Sequence, residues 1–120
     1  HQDRFVLPAA SLTPLPEKLP PRRAVLSANM ETALNALWDS GAGPGDRIAV
    51  VGGGVVGCLI AALAGALPGA DVTLIDHVPA RAAIAATLGV SFATPPAGPS
   101  DCDIVFHASA NDRGLAAALE

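Results

Sequence analysis

A glycine-rich turn between an apolar strand and an apolar helix is the feature that most restricts the fold of this chain. Residues 48–51 read Ile-Ala-Val-Val, an all-apolar run typical of a strand that is buried on both faces. Residues 52–57 follow at once with the spacing G-x-G-x-x-G, and residues 55–67 are small and aliphatic. Strands of this kind lie in parallel sheets between helices, so the segment predicts an α/β fold with a doubly wound parallel sheet.

The remaining pattern alternates strands with helices of about ten residues, which favours parallel pairing and right-handed crossovers. Further strands are predicted at residues 72–75, 90–92 and 104–106. Helices are predicted from Ala24 to Gly41 with Ser27 or Asn29 as N-cap, at residues 55–67 and 80–88, and from Asp112 onward. A doubly wound arrangement of these strands has the order 3-2-1-4.

Three glycines of the turn have separate physical roles in such a fold. Gly52 makes the tight turn out of the strand, and Gly54 lets the backbone approach a pyrophosphate without a Cβ in the way. Gly57 lets the helix lie close to the sheet. The pyrophosphate then rests on free N–H groups at the positive end of the helix dipole.

An acidic residue completes the pattern for a dinucleotide. Asp76 ends the second strand, 19 residues after Gly57, where a carboxylate can accept hydrogen bonds from both hydroxyls of an adenosine ribose. We therefore predict dinucleotide binding. Two alternatives remain: a glycine turn with a solvated Asp76 that caps the next helix, and a site for S-adenosylmethionine.

The composition argues against several other classes of protein. Seven Lys+Arg against eleven Asp+Glu, a net charge of −4, do not suit a nucleic-acid binder. A hydrophobic content of 51% with 15% charged residues is the reverse of a disordered segment. Residues 48–67 are uncharged, but the glycines at 52–54 would break a membrane helix, so no membrane span is expected. Cys58 and Cys102 are too few for a disulfide framework and predict free thiols in a reducing cytoplasm.

Several stretches together resemble a known family. They are residues 30–38 with Met-Glu-Thr-Ala and Trp38, residues 44–57 with Pro-Gly-Asp before the glycine turn, residues 72–76, Arg81, the Ala-x-x-Leu-Gly-Val stretch, and residues 103–106. Over essentially the whole chain, they are similar to the coenzyme domain of medium-chain dehydrogenase/reductases, the zinc-type alcohol dehydrogenase family. The resemblance implies a Rossmann NAD(P)-binding fold that is incomplete in these 120 residues.

The resemblance also implies roles for individual residues. It places the pyrophosphate on Gly52, Gly54, Val55, Val56 and Gly57. It places the adenosine ribose on Asp76 and Arg81, the nicotinamide side of the cofactor beside Ala108 and Ser109, and the nicotinamide pocket near Thr32. The family usually has glycine at the position of Ala110. His107, at the end of a buried strand, is interpreted either as a hydrogen-bonded structural histidine or as a cofactor contact.

The implied function is nicotinamide-dependent oxidoreduction of a small alcohol, aldehyde or ketone. NAD is expected rather than NADP, because Asp76 would repel a 2′-phosphate. The resemblance implies a metal ligand a few residues before Thr32-Ala33 in zinc-type relatives, but residues 26–30 of this chain contain no thiolate or carboxylate, so no metal ligand is expected. No catalytic acid or base is identified, and a homodimer is one arrangement open to the full-length protein. A non-catalytic NAD-binding or sensing module is the alternative from another class.

The domain organisation is predicted to be that of a fragment. Residues 1–21 are expected to be an exit segment and proline-rich linker from a preceding catalytic domain, with a short strand at residues 5–7. Residues 22–120 are expected to be the first part of the dinucleotide-binding domain. That fold needs about six strands, and the pattern supplies four from residue 48 onward.

Overall fold

Four parallel strands form the centre of the chain. A computed structural model describes residues 3–119. The strands are β1 (Arg47–Val51), β2 (Asp71–Ile75), β3 (Ser91–Ala93) and β4 (Ile104–His107). Their order is β3-β2-β1-β4, and Ile48 of β1 is in register with Val72 of β2 and Ile104 of β4. The predicted doubly wound sheet with strand order 3-2-1-4 is confirmed.

Five α-helices and two short 3₁₀ turns surround or precede this sheet. The helices are α1 (Pro21–Ala24), α2 (Ser27–Ser40), α3 (Val55–Ala64), α4 (Ala82–Leu88) and α5 (Asp112–Leu119). The 3₁₀ turns are Ala9–Ser11 and Pro79–Arg81. Most of the helical side chains that reach the core are alanines, so the helices approach the sheet closely.

One face of the sheet carries the main hydrophobic core. Val50 and Leu74 are fully buried there against the small side chains of α2, α3 and α4. The opposite face has a smaller buried cluster of Ala49, Val51 and Ile75, which contacts Ala117 and Ala118 of α5. No residue of α5 within the described range is itself buried. The two faces of the sheet are therefore covered to very different extents.

The structure corrects several predicted element boundaries. Residues 5–7 belong to no strand of the described sheet, and Val6 is fully exposed, because so short a run has no neighbouring strand to bond. Helix α2 is preceded by the separate α1, and neither Ser27 nor Asn29 is its N-cap, since Leu26 occupies that position. Helix α3 ends at Ala64 rather than at residue 67, immediately before Gly65. The predicted helix stops at Gly41 and Gly89 are confirmed, because both glycines have left-handed φ angles.

The proline-rich segment also departs from its predicted form. Its closely spaced prolines, from Pro8 to Pro21, predict no regular element, yet Ala9–Ser11 makes one 3₁₀ turn and Pro21 opens α1. Proline is favoured at the first position of a helix, where its missing N–H has no partner to lose. Among the described residues, no helix has the length and apolarity to cross a membrane.

Candidate functional site

The turn that leaves β1 requires glycine at its first position. Gly52 has a φ of +109°, and its N–H donates to the Ile75 carbonyl at 2.8 Å. A Cβ on Gly52 would lie 2.6 Å from the Ser109 backbone nitrogen. The segment after β4 therefore lies in direct contact with the start of the glycine turn, and a side chain at residue 52 would push the two segments apart.

The other two motif glycines differ in what they contact. A Cβ on Gly57 would lie 1.8 Å from the Gly52 carbonyl oxygen, so α3 begins in direct contact with the turn. A Cβ on Gly54 would meet no atom within 4 Å, and its φ of −71° is ordinary. The protein itself therefore requires no glycine at residue 54, where the backbone faces open space.

The start of α3 offers hydrogen-bond donors to that open space. Gly54 is the N-cap of α3, and Val55 and Val56 are its first two residues. Their N–H groups precede the first N–H that finds an acceptor within a helix, so they point outward without an intrahelical partner. Half of Val55 is exposed, and no acidic residue lies in this first turn. The arrangement fits an anion such as a pyrophosphate.

A buried carboxylate connects β2 to the glycine turn. The Asp76 side chain is 6% exposed. Its Oδ2 accepts a hydrogen bond from the Gly53 N–H at 2.7 Å, and its Oδ1 accepts one from the Val78 N–H at 2.9 Å. Because each carboxylate oxygen has two acceptor positions, both oxygens can accept another hydrogen bond from a ligand.

Two basic side chains flank the same carboxylate. Arg81 Nη1 lies 3.4 Å from Asp76 Oδ2, and His77 Nδ1 lies 3.5 Å from Oδ1. Burial alone would raise the pKa of Asp76, but the amides of Val78 and Gly53 and the neighbouring charges outweigh it. The pKa of this carboxyl is lowered overall, and Asp76 is ionised at neutral pH.

The lowered pKa of Asp76 predicts a loss of stability in acid. A group whose pKa is lower in the folded state stabilises the fold above its unfolded pKa, and this stabilisation is lost as the pH falls through the folded pKa. We expect the free energy of unfolding to fall as the pH drops below about 4, and the fall to be smaller in Asp76→Asn. Urea unfolding between neutral pH and acid measures this effect.

Asp103→Asn is the matched control for the acid experiment. The pKa of Asp103 is also lowered, by hydrogen bonds from the Arg47 backbone and side chain, but this carboxylate is half exposed at the other end of the sheet. Solvent screens such a pair, so its effect on the acid limb is expected to be the smaller one. A shallower acid loss in Asp103→Asn than in Asp76→Asn would contradict the prediction.

The segment after β4 forms a tight turn. The Ala108 N–H donates to the Val51 carbonyl at 2.7 Å, which holds the segment beside the end of β1. Ala110 has a φ of +53°, the one positive φ at a non-glycine position among the described residues. Glycine would adopt this conformation without strain, and alanine adopts it at a cost.

A cavity of about 570 Å³ opens at the carboxyl ends of the strands. Val51 and Gly52 form one side, Asp76 and His77 lie at the end of β2, and the first turn of α5 forms the opposite wall. Ligands in open α/β sheets bind at this edge, beside the strand where the direction of winding reverses. The cavity is therefore contiguous with both the glycine turn and the buried carboxylate.

The structure brings most of the predicted site residues together. The contacts above join Gly52 to Gly57, Ala108 and Ser109, and join Asp76 to Arg81. Val55 and Val56 lie at the start of α3 beside them. Thr32 does not line the cavity; it is exposed on α2, and its hydroxyl donates to the Ala28 carbonyl at 3.1 Å.

Several residues of this region were not predicted from the sequence. Gly53 donates to Asp76, Asn111 lines the cavity, and Gly114 lies against Ser109. A glycine in the first turn of a helix is a detectable signal, because it costs helix stability unless close packing requires it. The Gly53 contact has no such signal, because it depends on how two strands are paired.

Neither the thiols nor the acidic residues form a metal centre within residues 3–119. No group of three His, Cys, Asp or Glu side chains there has the arrangement of a metal site. The Cys58 thiol donates to the Gly53 carbonyl at 3.3 Å, and burial raises its pKa, which keeps it protonated.

Comparisons with known proteins agree with the fold. No family model matches the chain. It is 35% identical over 89 residues to an uncharacterized zinc-type alcohol dehydrogenase-like protein of Haemophilus influenzae, a match that covers 74% of this chain and 26% of that protein. The chain thus spans about a quarter of the length of that relative.

Two solved structures are similar in both fold and sequence. Alcohol dehydrogenase TADH from Thermus sp. ATN1 is 29% identical with a TM-score of 0.77, covering 88% of this chain and 34% of that one. The quinone oxidoreductase of Thermus thermophilus, also solved in complex with NADPH, is 30% identical with a TM-score of 0.60, covering 73% of this chain and 30% of that one.

Proposed function

Because the chain belongs to the medium-chain dehydrogenase/reductase superfamily, we propose that it is the coenzyme-binding part of a nicotinamide-dependent oxidoreductase. The reaction class proposed for the full-length protein is oxidoreduction of a small alcohol, aldehyde or ketone. The chain spans a quarter to a third of the length of the relatives described above. Substrate binding and acid–base catalysis are therefore assigned to other residues of the full-length protein.

One observation carries this proposal: the glycine turn faces open space at Gly54 and is hydrogen-bonded to Asp76 at the neighbouring residue. The turn's Gly53 amide is bonded to the Asp76 carboxylate, while a Cβ on Gly54 would meet no protein atom. A plain structural turn has no need to leave an uncovered helix start beside a buried, ionised carboxylate. A dinucleotide has both a pyrophosphate for the first and a ribose diol for the second.

The residues present fit such a cofactor. The N–H groups of Gly54, Val55 and Val56 would hold the pyrophosphate, and Asp76 and Arg81 would hold the adenosine ribose. Ala108 and Ser109 would lie beside the nicotinamide side of the cofactor, with Thr32 near the nicotinamide pocket. When bound, the cofactor supplies a hydride at C4 of its nicotinamide ring. The chain's own role is to bind and orient the cofactor.

The finer features are proposed on sequence grounds. NAD is proposed over NADP because Asp76 is retained, although one similar protein binds NADPH. The residues described do not fit a zinc site, so no step is assigned to zinc; Glu31 is exposed on α2, beyond a first turn that holds no acidic residue. A cytoplasmic location and a homodimer complete the proposal.

NADH binding is the direct test of the proposed function. We expect the full chain to bind NADH with a Kd on the order of 1 μM to 1 mM, by fluorescence titration, because the KM values of enzymes usually lie in this range. Adenosylmethionine should not displace it. Binding of adenosylmethionine without NADH would instead indicate a methyltransferase. NADH binding by the full-length protein without turnover of any alcohol, aldehyde or ketone would indicate a sensing module.

A further inference from the structure

The first turn of α5, which forms one wall of the cavity, is held by polar contacts, and only partly buried alanines further along attach the helix to the sheet. No described residue of α5 is buried, and the helix lies on the sheet face that has only the small cluster around Val51. Its first turn nevertheless lines the cavity together with Asp76. Helices of globular proteins are usually positioned by a fully buried apolar face, whereas α5 has only the partly buried Ala117 and Ala118 on the sheet.

The Ser109 hydroxyl lies at the centre of those polar contacts. Ser109 Oγ is 2.7 Å from His107 Nε2. On the other side it fills the space over Gly114 of α5, where a Cβ would lie 1.8 Å from this oxygen. The same hydroxyl therefore touches the end of β4 and the first turn of α5.

Asn111 makes a second connection between Ser109 and α5. Its side-chain amide donates to the Ser109 carbonyl at 2.9 Å, and its Oδ1 accepts the Gly114 N–H at 2.9 Å. Between them lies Ala110 with its positive φ. A strained residue persists only where its neighbours determine its conformation, and here those neighbours are Ser109 and Asn111.

We infer that His107 and Ser109 are positioning residues for the adenosine half of the cofactor. The His107–Ser109 pair fixes the loop between β4 and α5. That loop fixes the first helical turn of α5, which forms the cavity wall facing Asp76. This inference rests on the proposed function and adds to it. It assigns to the Ser109 side chain a role separate from that proposed for the backbone of residues 108–109.

Binding of the separate halves of the cofactor tests the inference. In the full chain, Ser109→Ala and His107→Leu are each expected to weaken the binding of AMP and of NADH by about fivefold, the effect of one lost side-chain hydrogen bond. The affinity for reduced nicotinamide mononucleotide should fall less than the affinity for AMP. His107→Gln keeps a hydrogen-bonding end and should restore most of the affinity. Ser91→Ala, at an exposed serine of β3, is the matched control. Isothermal titration and the thermal midpoint are measured for each variant.

Each result decides for or against the inference. Unchanged AMP affinity would overturn it, and so would an equal loss for the nicotinamide mononucleotide. A variant that fails to fold, or melts well below Ser91→Ala, would also overturn it, because the pair would then support the core rather than the cavity wall. If the unmodified chain binds neither NADH nor AMP, the proposed function itself is wrong, which is a separate result.

Discussion

Replacing Gly57 with alanine is expected to destabilise the fold by about 3 kcal/mol or more and to abolish NADH binding. The new Cβ would lie 1.8 Å from the Gly52 carbonyl oxygen. Because the positions of a Cβ and a carbonyl oxygen are both fixed by the backbone, no side-chain rotation relieves the clash. Either α3 or the turn must move away from the sheet. Urea unfolding and fluorescence titration with NADH measure the two effects.

Gly54→Ala separates binding from folding. Its Cβ would meet no protein atom, and the backbone angles of Gly54 are ordinary, so stability is expected to fall by less than about 1 kcal/mol, the usual cost of alanine at an N-cap. NADH affinity should still fall by at least about tenfold, because the methyl group occupies the path of the pyrophosphate. Equal stability losses in both variants, or unchanged NADH affinity in Gly54→Ala, would contradict this account of the turn.

NADH is expected to bind more tightly than NADPH to the unmodified chain, and Asp76→Ser is expected to reverse or remove this preference. A 2′-phosphate would meet the ionised Asp76 at contact distance and lose the ribose hydrogen bonds, a penalty of several kcal/mol in a partly buried site. Arg81 and His77, which lie 3.4 and 3.5 Å from the carboxylate, reduce this penalty. We therefore expect a preference rather than complete rejection.

The ratio of the two affinities is the proper measurement for Asp76→Ser. Because Asp76 also accepts the Gly53 N–H, serine weakens the glycine turn for both cofactors, and each separate Kd will rise for that reason. The NADPH-to-NADH ratio is free of this common loss. His77→Asn, with the carboxylate intact, is the matched control and should lower NADPH affinity more than NADH affinity. Equal affinities in the unmodified chain, or an unchanged ratio in Asp76→Ser, would show that Asp76 does not discriminate between the cofactors.

Local sequence determined the order and type of the elements from β1 to α5. Apolar runs such as residues 48–51 have one stable placement, inside a parallel sheet, and glycines at 41 and 89 end helices because they adopt left-handed angles without strain. The glycine turn and Asp76 were predictable for the same reason, since their spacing is a property of one strand–helix–strand unit. The N-terminal strand was predicted wrongly because a run of three apolar residues does not say whether a partner strand exists.

Tertiary structure alone decided which groups share the site. Three contacts set its shape: the Gly53 amide bonds Asp76, Ser109 presses on Gly52, and Gly114 makes room for the Ser109 hydroxyl. The first pair lies 23 residues apart along the chain, the second is further apart still, and no local pattern encodes either. They follow from the register of β1 with β2 and β4, which brings the carboxyl ends of the strands to one edge of the sheet. The sequence thus determined which chemical groups are available, and the pairing of the strands determined which of them meet.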